Sequence, residues 1–340
     1  MLLHIFVIGF CLNISVSGQG LLPNGDPFFC VPPGICPDSG GIDPRIMTPT
    51  GTNTPGLATC PVGRVPCYAQ GSMSNCGLRL VRVPNAPDGE APYGAYPWQA
   101  FMAGPSGNFI GSGSLLSPYH VLTATHKVLQ YVANPSQLTV IMGVNDPARI
   151  NATNPRSRAA QIFIFNATTY NNSTLKNDIA IVRLATPISL IGQTSVNTIC
   201  LPAATSNATT YMRPQRCLVS GWGQTQPTLT AVPTRLKQVA LTTTDIATCA
   251  RGFAGIVNTA VYLDQTGGQL CAGGEAQKDA CFQDGGAPLT CGAGTVSSRY
   301  VVAGIVIWGK SCGQPGVFGV YTNVPFYYRW IVQVITQRIT

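Results

Sequence analysis

Between residues 92 and 310, short apolar runs rich in Val and Ile recur between clusters of Gly, Pro and Asn. They include HVLTATH (120–126), LTVIMG (138–143), DIAIVRL (178–184), CLVSGWG (217–223), KQVALTTT (237–244) and YVVAGIVIWG (300–309). Runs of this length, β-branched and bounded by turn formers, read as strands. So many short strands predict an all-β barrel or sandwich. The tail VPFYYRWIVQVITQRIT breaks the pattern. Trp330, Ile331, Val334 and Ile335 fall at helical spacing there and predict a C-terminal amphipathic helix. The chain has no internal repeat.

Residues 19–78 have a different character. This stretch holds ten Pro, ten Gly and five Cys, with no sustained helical or strand period. Disulfides rather than an apolar core must hold such a module together. A length of 340 residues is consistent with two or three domains in all.

Residues 2–12 are apolar but too short to span a bilayer, and small residues follow, with a cleavage site expected after Gly18. This predicts a secretory signal peptide over 1–18. No later stretch reaches about 18 apolar residues, so no transmembrane helix is expected. Of thirteen cysteines, Cys11 leaves with the signal, and the remaining twelve form an even set suited to a disulfide framework. Sequons at Asn151, Asn166, Asn171, Asn172 and Asn207 predict a glycan-bearing surface in the same compartment. The net charge of +8 comes from scarce carboxylates, not from dense basic runs, which argues against nucleic acid as a partner. The mature chain keeps only two histidines, His120 and His126, and its cysteines pair with one another. Too few ligands remain for zinc. Neither calcium, with carboxylates so scarce, nor any other cofactor is expected.

Peptide hydrolysis by serine needs a hydroxyl that attacks, an imidazole that takes its proton, and a carboxylate that orients the imidazole. His126 ends one apolar strand and Asp178 begins another. Their spacing alone proves nothing. However, YPWQA (96–100), GSGSLLSPYHVLTATH (111–126), NDIAIVRL (177–184), ICLP (199–202), CLVSGWG (217–223), LCAGG (270–274), DACFQDGGAPLTC (279–291), IVIWG (305–309) and GVYTNVPFYYRWI (319–331) occur in one order. Over residues 87–340 this order resembles the trypsin-like serine proteases. The resemblance implies two six-stranded antiparallel barrels with a cleft between them. It also implies that His126 matches the base and Asp178 the orienting carboxylate.

The nucleophile's motif departs from the family pattern C-x-G-D-S-G-G-P. Here it reads Cys281-Phe282-Gln283-Asp284-Gly285-Gly286-Ala287-Pro288. The serine position is Gly285, and Thr290 is the next hydroxyl along the chain. Losing the nucleophile costs a serine protease about 10⁶ in turnover. Gln283 replaces the glycine of the oxyanion hole, where its side chain is expected to crowd the site. The activation segment R-I-V-G-G is absent, and its new amino terminus would fall near Asn85. Asp284, which pairs with that terminus in the family, is therefore expected to lack its partner. Arg82 is a candidate cleavage point. Asp279, Gly309 and Gly319 match the pocket that takes Arg or Lys side chains.

The resemblance further implies the pairs Cys76–Cys200, Cys217–Cys291, Cys249–Cys271 and Cys281–Cys312. The family's disulfide beside the histidine is missing, because its two positions are Gly111 and Lys127. Cys30, Cys36, Cys60 and Cys67 are left, with three possible connectivities. PFFCVPPGIC and CPVGRVPCY resemble the clip domain of arthropod proteases, with Phe28 and Pro66 at two of its cysteine positions. The CAGGEAQKDAC run with glycine for serine resembles clip-domain serine protease homologues. The chain is thus read as a signal peptide (1–18), a clip-like module and linker (19–78) and a protease-like domain (79–340).

The resemblance implies a secreted, inactive cofactor in an extracellular protease cascade such as prophenoloxidase activation. Its expected partners are proteases, their zymogen substrates or prophenoloxidase. The alternative is an extracellular binding or adhesion protein. A trypsin-like endopeptidase with a displaced nucleophile is the least expected reading.

Overall fold

The computed structural model describes residues 19–21, 27–31, 65–68, 76–84, 88–224, 235–293 and 299–335. The chain divides into two units, Met1–Gln70 and Gly71–Thr340. The first contains strands β1 (Gln19–Leu21), β2 (Pro27–Val31) and β3 (Val65–Tyr68), paired antiparallel in that order. Phe29 stands opposite Cys67, and Cys30 opposite Pro66. The expected signal peptide, Cys36, Cys60 and Asn85 lie outside the described residues.

The second unit opens with β4 (Gly89–Glu90), β5 (Gln99–Ala103), β6 (Phe109–Ser117), β7 (His120–Thr123) and helix α1 (Thr125–Val128). β8 (Thr139–Ile141), β9 (Arg156–Ile164) and β10 (Ala180–Leu184) follow. These close into a barrel in the order β10-β7-β6-β5-β8-β9. Next come β11 (Arg216–Gly221), β12 (Lys237–Thr244), α2 (Ile246–Gly252), α3 (Thr259–Tyr262) and β13 (Gln269–Gly273). β14 (Pro288–Gly292), β15 (Tyr300–Trp308), β16 (Phe318–Asn323) and α4 (Tyr328–Ile335) complete the unit. The second barrel runs β11-β14-β15-β16-β13-β12 and is closed by β11 on β12, with β4 added beside β12. Closure pairs the strand edges of both barrels and leaves few templates for outside strands.

The period of two along a strand decides which core each residue enters. In β5, Ala100 and Met102 point into the first barrel, whereas Phe101 and Ala103 join the apolar layer between the barrels. In β10, Ile181 enters that layer while Ala180 and Val182 enter the barrel. A strand buried on both faces reads as a continuous apolar run, and Ile179–Val182 is one. Phe101 meets Trp222 edge-to-face at 5.2 Å between ring centroids. Gln99 and Ser220 exchange two buried hydrogen bonds, of 3.0 and 2.8 Å, across the same interface. Val219, Leu241, Leu289 and Tyr321 fill the second barrel.

Helix α4 buries Tyr328, Ile331 and Val334. Trp330 packs edge-to-face on Phe165 just beyond β9, so the C-terminal helix returns to the first barrel. Disulfides join Cys76 to Cys200, Cys217 to Cys291, Cys249 to Cys271 and Cys281 to Cys312. The last one brackets the loop that carries Asp284 and Gly285.

Candidate functional site

β7 ends at Thr123, and α1 turns His126 toward the space between the barrels. The Thr125 hydroxyl donates to the Ile179 carbonyl at 2.9 Å and ties α1 to the segment entering β10. Asp178, two residues before β10, is fully buried. One of its oxygens accepts the His126 backbone N–H at 2.9 Å and the other lies 2.6 Å from Nδ1. Thr322 of β16 donates to the Asp178 carbonyl at 2.7 Å, so the second barrel also holds the pair. With Nδ1 engaged, Nε2 is the free nitrogen of the ring.

Gly285 faces that nitrogen. A Cβ added there would stand 2.6 Å from Nε2 and would overlap Lys127 Cε. The φ of Gly285 is not left-handed, so crowding rather than backbone geometry excludes a side chain. The Lys127 stem lies along Gly111, where an added Cβ would stand 2.9 Å from both Cγ and Cδ. The two positions of the missing family disulfide are therefore in contact, with a lysine stem laid over a glycine. Burial pulls the Lys127 ammonium below the usual lysine range, and the charges of Asp284 and Asp178 act against that shift. Among the described residues no carboxylate stands at ion-pair distance from it.

The loop before Gly285 is held from several sides. Ser112 N–H of β6 donates to the Gly285 carbonyl, and Gly286 N–H donates to Val306. Gly286 has φ +84°, and an added Cβ would run into the Ser112 carbonyl. Only glycine fits both constraints. Gln224 N–H donates to the Phe282 carbonyl at 2.8 Å, and Gln283 takes the left-handed φ of +73° that glycine usually supplies. The Gln283 side chain, expected to crowd the site, is exposed. Neither Gln283 N–H nor Gly285 N–H donates to another described atom. Thr290 is buried in β14, and its hydroxyl donates to Leu218.

The sequence predicts that Asp284 lacks the activation terminus as its partner. It is buried and accepts the backbone N–H groups of Gly223 at 2.8 Å and Cys281 at 2.9 Å. Burial still raises its pKa to about 6, while those two bonds and the charges of Lys237 and Lys127 lower it. A cavity of about 640 Å³ runs from Asp284 to Asp279, lined also by Gly221, Gly223, Lys237 and Gly313. One Asp279 oxygen accepts Gly313 N–H at 3.2 Å. The other is buried without a hydrogen-bond partner, as is the Tyr321 hydroxyl. An added Cβ on Gly319 would come within 3.0 Å of Asp279 and 3.1 Å of that hydroxyl, whereas Gly309 meets only Gly319 Cα at 3.9 Å. Burial raises the Asp279 pKa to about 7.

Sequence reasoning passed over two cations near Asp284. Lys237, which donates to the Gly223 carbonyl, left no sequence signal. Lys127 left one: it replaces half of a disulfide whose other half is glycine. The five sequon asparagines are all exposed. Among the described residues no His/Cys/Asp/Glu group is arranged to hold a metal, and no helix is long and apolar enough to cross a membrane.

Two antiparallel six-stranded barrels, with a His–Asp pair and a glycine-rich loop between them, define the trypsin-like class. The family described as Trypsin matches residues 88–331. An inactive CLIP domain-containing serine protease A3 of Aedes aegypti is 36% identical over 90% of this chain, which spans 66% of that relative's length. Serine protease 41 of Homo sapiens is 32% identical over 83% of this chain and 84% of its own. Phenoloxidase-activating factor 2 of Galleria mellonella is 29% identical over 82% of this chain and 94% of its own. The chain belongs to the trypsin family and is a clip-domain serine protease homologue.

Proposed function

We propose that this protein is secreted, is catalytically inactive, and serves as a regulatory cofactor in an extracellular protease cascade such as prophenoloxidase activation. The observation that carries the reading is the glycine beside His126 Nε2, with Lys127 crowding the space of a side chain. A triad without its hydroxyl has nothing to form the acyl intermediate. The word "inactive" in the mosquito relative's name supports the loss of activity, and the moth relative's name supports the cascade. Four disulfides and exposed sequons support an extracellular site of action. The clip-like module at 19–78 and the protease-like domain at 79–340 are the parts of the proposed cofactor. Proteases, their zymogens or prophenoloxidase are its proposed partners.

The test is reconstitution of prophenoloxidase activation from purified protease and zymogen, with and without the full chain. A rise in active phenoloxidase per cleaved zymogen is expected. An unchanged yield across a range of concentrations would sink the cofactor reading.

A further inference from the structure

We propose that the outer face of the first barrel binds a sulfated polysaccharide chain through the guanidinium groups of Arg156, Arg158 and Arg183. Asp178 precedes β10 and Arg183 lies near its far end, so this face is separate from the cleft and its chemistry. It shares with the proposed function only the extracellular setting in which such polymers occur.

Strand register assembles a patch that the chain does not show as a basic run. On β9, Arg156 and Arg158 are exposed, while Ser157 and Ala159 are buried. Two guanidiniums therefore leave the outer face, from Cα atoms about 7 Å apart along the strand. On the neighbouring β10, Leu184 stands opposite Ala159, and Ala185 N–H donates to the Arg158 carbonyl at 2.9 Å. A register shift then sets Arg183 opposite Gln161, which is exposed, and leaves Ala160 as an extra residue. Arg183 thus shares the outer face and stands diagonally from Arg158, within reach for long side chains. These charges are uncompensated. Residues 91–200 carry Lys127, Arg149, Arg156, Arg158, Lys176 and Arg183 against only Asp146 and Asp178. Asp178 is buried on His126, and Asp146 pairs with Arg149. Among the described residues the Arg158 and Arg183 side chains have no hydrogen bond or ion pair, and Arg156 donates only to the carbonyls of Asn151 and Asn154. Burial and the Arg183 charge lower the pKa of His120, opposite Arg183 on β7, to about 4, so that imidazole is neutral at pH 7.

Which anion fits follows from the surroundings. Among the described residues, none of the exposed large hydrophobic side chains belongs to β7, β9 or β10. The exposed neighbours of the arginines are Ala160, Gln161 and Ala185. A protein partner needs aromatic or apolar anchors at the centre of its interface. Recognition of an anionic bilayer takes clusters of about four to eight Lys or Arg. A polymer held by charge alone fits this face, and the extracellular polymers of that kind carry sulfate. All three cations are Arg. The guanidinium is weakly hydrated and presents a planar fork that meets an oxyanion with two parallel N–H···O bonds. A linear chain bearing regular sulfates can meet Arg156 and Arg158 along β9 and Arg183 beside them.

The test uses the full-length chain, a labelled heparin oligosaccharide and fluorescence anisotropy. Binding should weaken about 20- to 40-fold between about 50 and 200 mM salt, the response expected when about three cations displace counterions from a polyanion. Arg158→Gln should reduce the slope of log affinity against log salt by about one, and replacing all three arginines by Gln should reduce it by about two to three. Arg158→Lys should keep the slope and lose part of the affinity, because an ammonium lacks the fork. Arg213→Gln removes an exposed cation just before β11 and should leave binding unchanged. Thermal unfolding first shows that each variant is folded. Hyaluronan, which carries no sulfate, polyglutamate and phosphatidylserine vesicles should each bind about tenfold or more weakly than heparin. No binding of heparin at low salt, an equal loss from Arg213→Gln and Arg158→Gln, or binding of any of the three other anions as tight as that of heparin would overturn the proposal.

Discussion

Restoring the serine is the obvious perturbation, and the structure predicts that Gly285→Ser alone fails. The new Cβ would stand 2.6 Å from His126 Nε2, 3.1 Å from its Cε1, and in overlap with Lys127 Cε. Unstrained contacts need about 3.5–4.0 Å. The imidazole is fixed by Asp178, so the lysine stem must swing off Gly111. Overpacking of this kind costs about 1–3 kcal/mol. At about 2–4 °C per kcal/mol for a domain of this size, that is a fall in Tm of roughly 2–12 °C. Lys127→Ala removes the overlap with Cε but leaves the 2.6 Å contact with His126 Nε2, so the double variant should recover only part of the loss. A cycle of Gly285→Ser, Lys127→Ala and both, read by urea unfolding, should give a coupling of about 0.5–3 kcal/mol. A fluorophosphonate probe should label the double variant and leave the Gly285→Ser single variant unlabelled. Additive stabilities, or equal labelling of single and double variants, would refute the claim that Lys127 fills the nucleophile's place.

Other consequences can be measured independently. Burial raises the Asp279 pKa from 3.8 to about 7, so the folded state holds a proton that the unfolded state releases. The associated stability is fully present below about pH 4 and is lost as pH rises through 7, at most about 4 kcal/mol. Asp279→Asn should remove the Asp279 share of the wild-type fall in stability between pH 4 and 8 and leave the share of Asp284, whose pKa burial raises to about 6. Parallel pH curves for the two proteins would contradict this. His120, lowered to about 4 by burial, works in the opposite direction from about pH 4 to 6.5 but is common to both proteins. Gly286→Ala meets both a left-handed φ and the Ser112 carbonyl, so it should destabilise the fold by more than about 1 kcal/mol in chemical denaturation. Phe101→Ala should cost about 3–5 kcal/mol by the same measurement, because its ring fills the layer between the barrels against Trp222.

The barrels could be read from the chain because each strand carries its own local signal. Ile179–Val182 reads as a continuous apolar run, since its alternate residues serve two cores. Helix α4 showed in the spacing of Ile331 and Val334. Helices α2 and α3 had no such signal, being one to two turns long and lacking a sustained apolar stripe. The site was legible as residue types but not as contacts. Nothing periodic links Lys127 to Gly111, sixteen positions apart, because they meet by filling each other's space across two elements. The two donors to Asp284, the backbone amides of Gly223 and Cys281, left no signal in the sequence, because side-chain patterns do not encode backbone donors. The left-handed φ of Gln283 was not legible either, because glutamine carries no signal for a backbone conformation that glycine usually supplies.

The most direct test of the account is turnover by the native, full-length protein. It is incubated with an arginyl peptide substrate and, in parallel, with a fluorophosphonate probe followed by peptide mapping. The account predicts no hydrolysis above the heat-denatured control and no labelled residue. Hydrolysis that the probe abolishes, with the label on a serine or threonine of this chain, would contradict it.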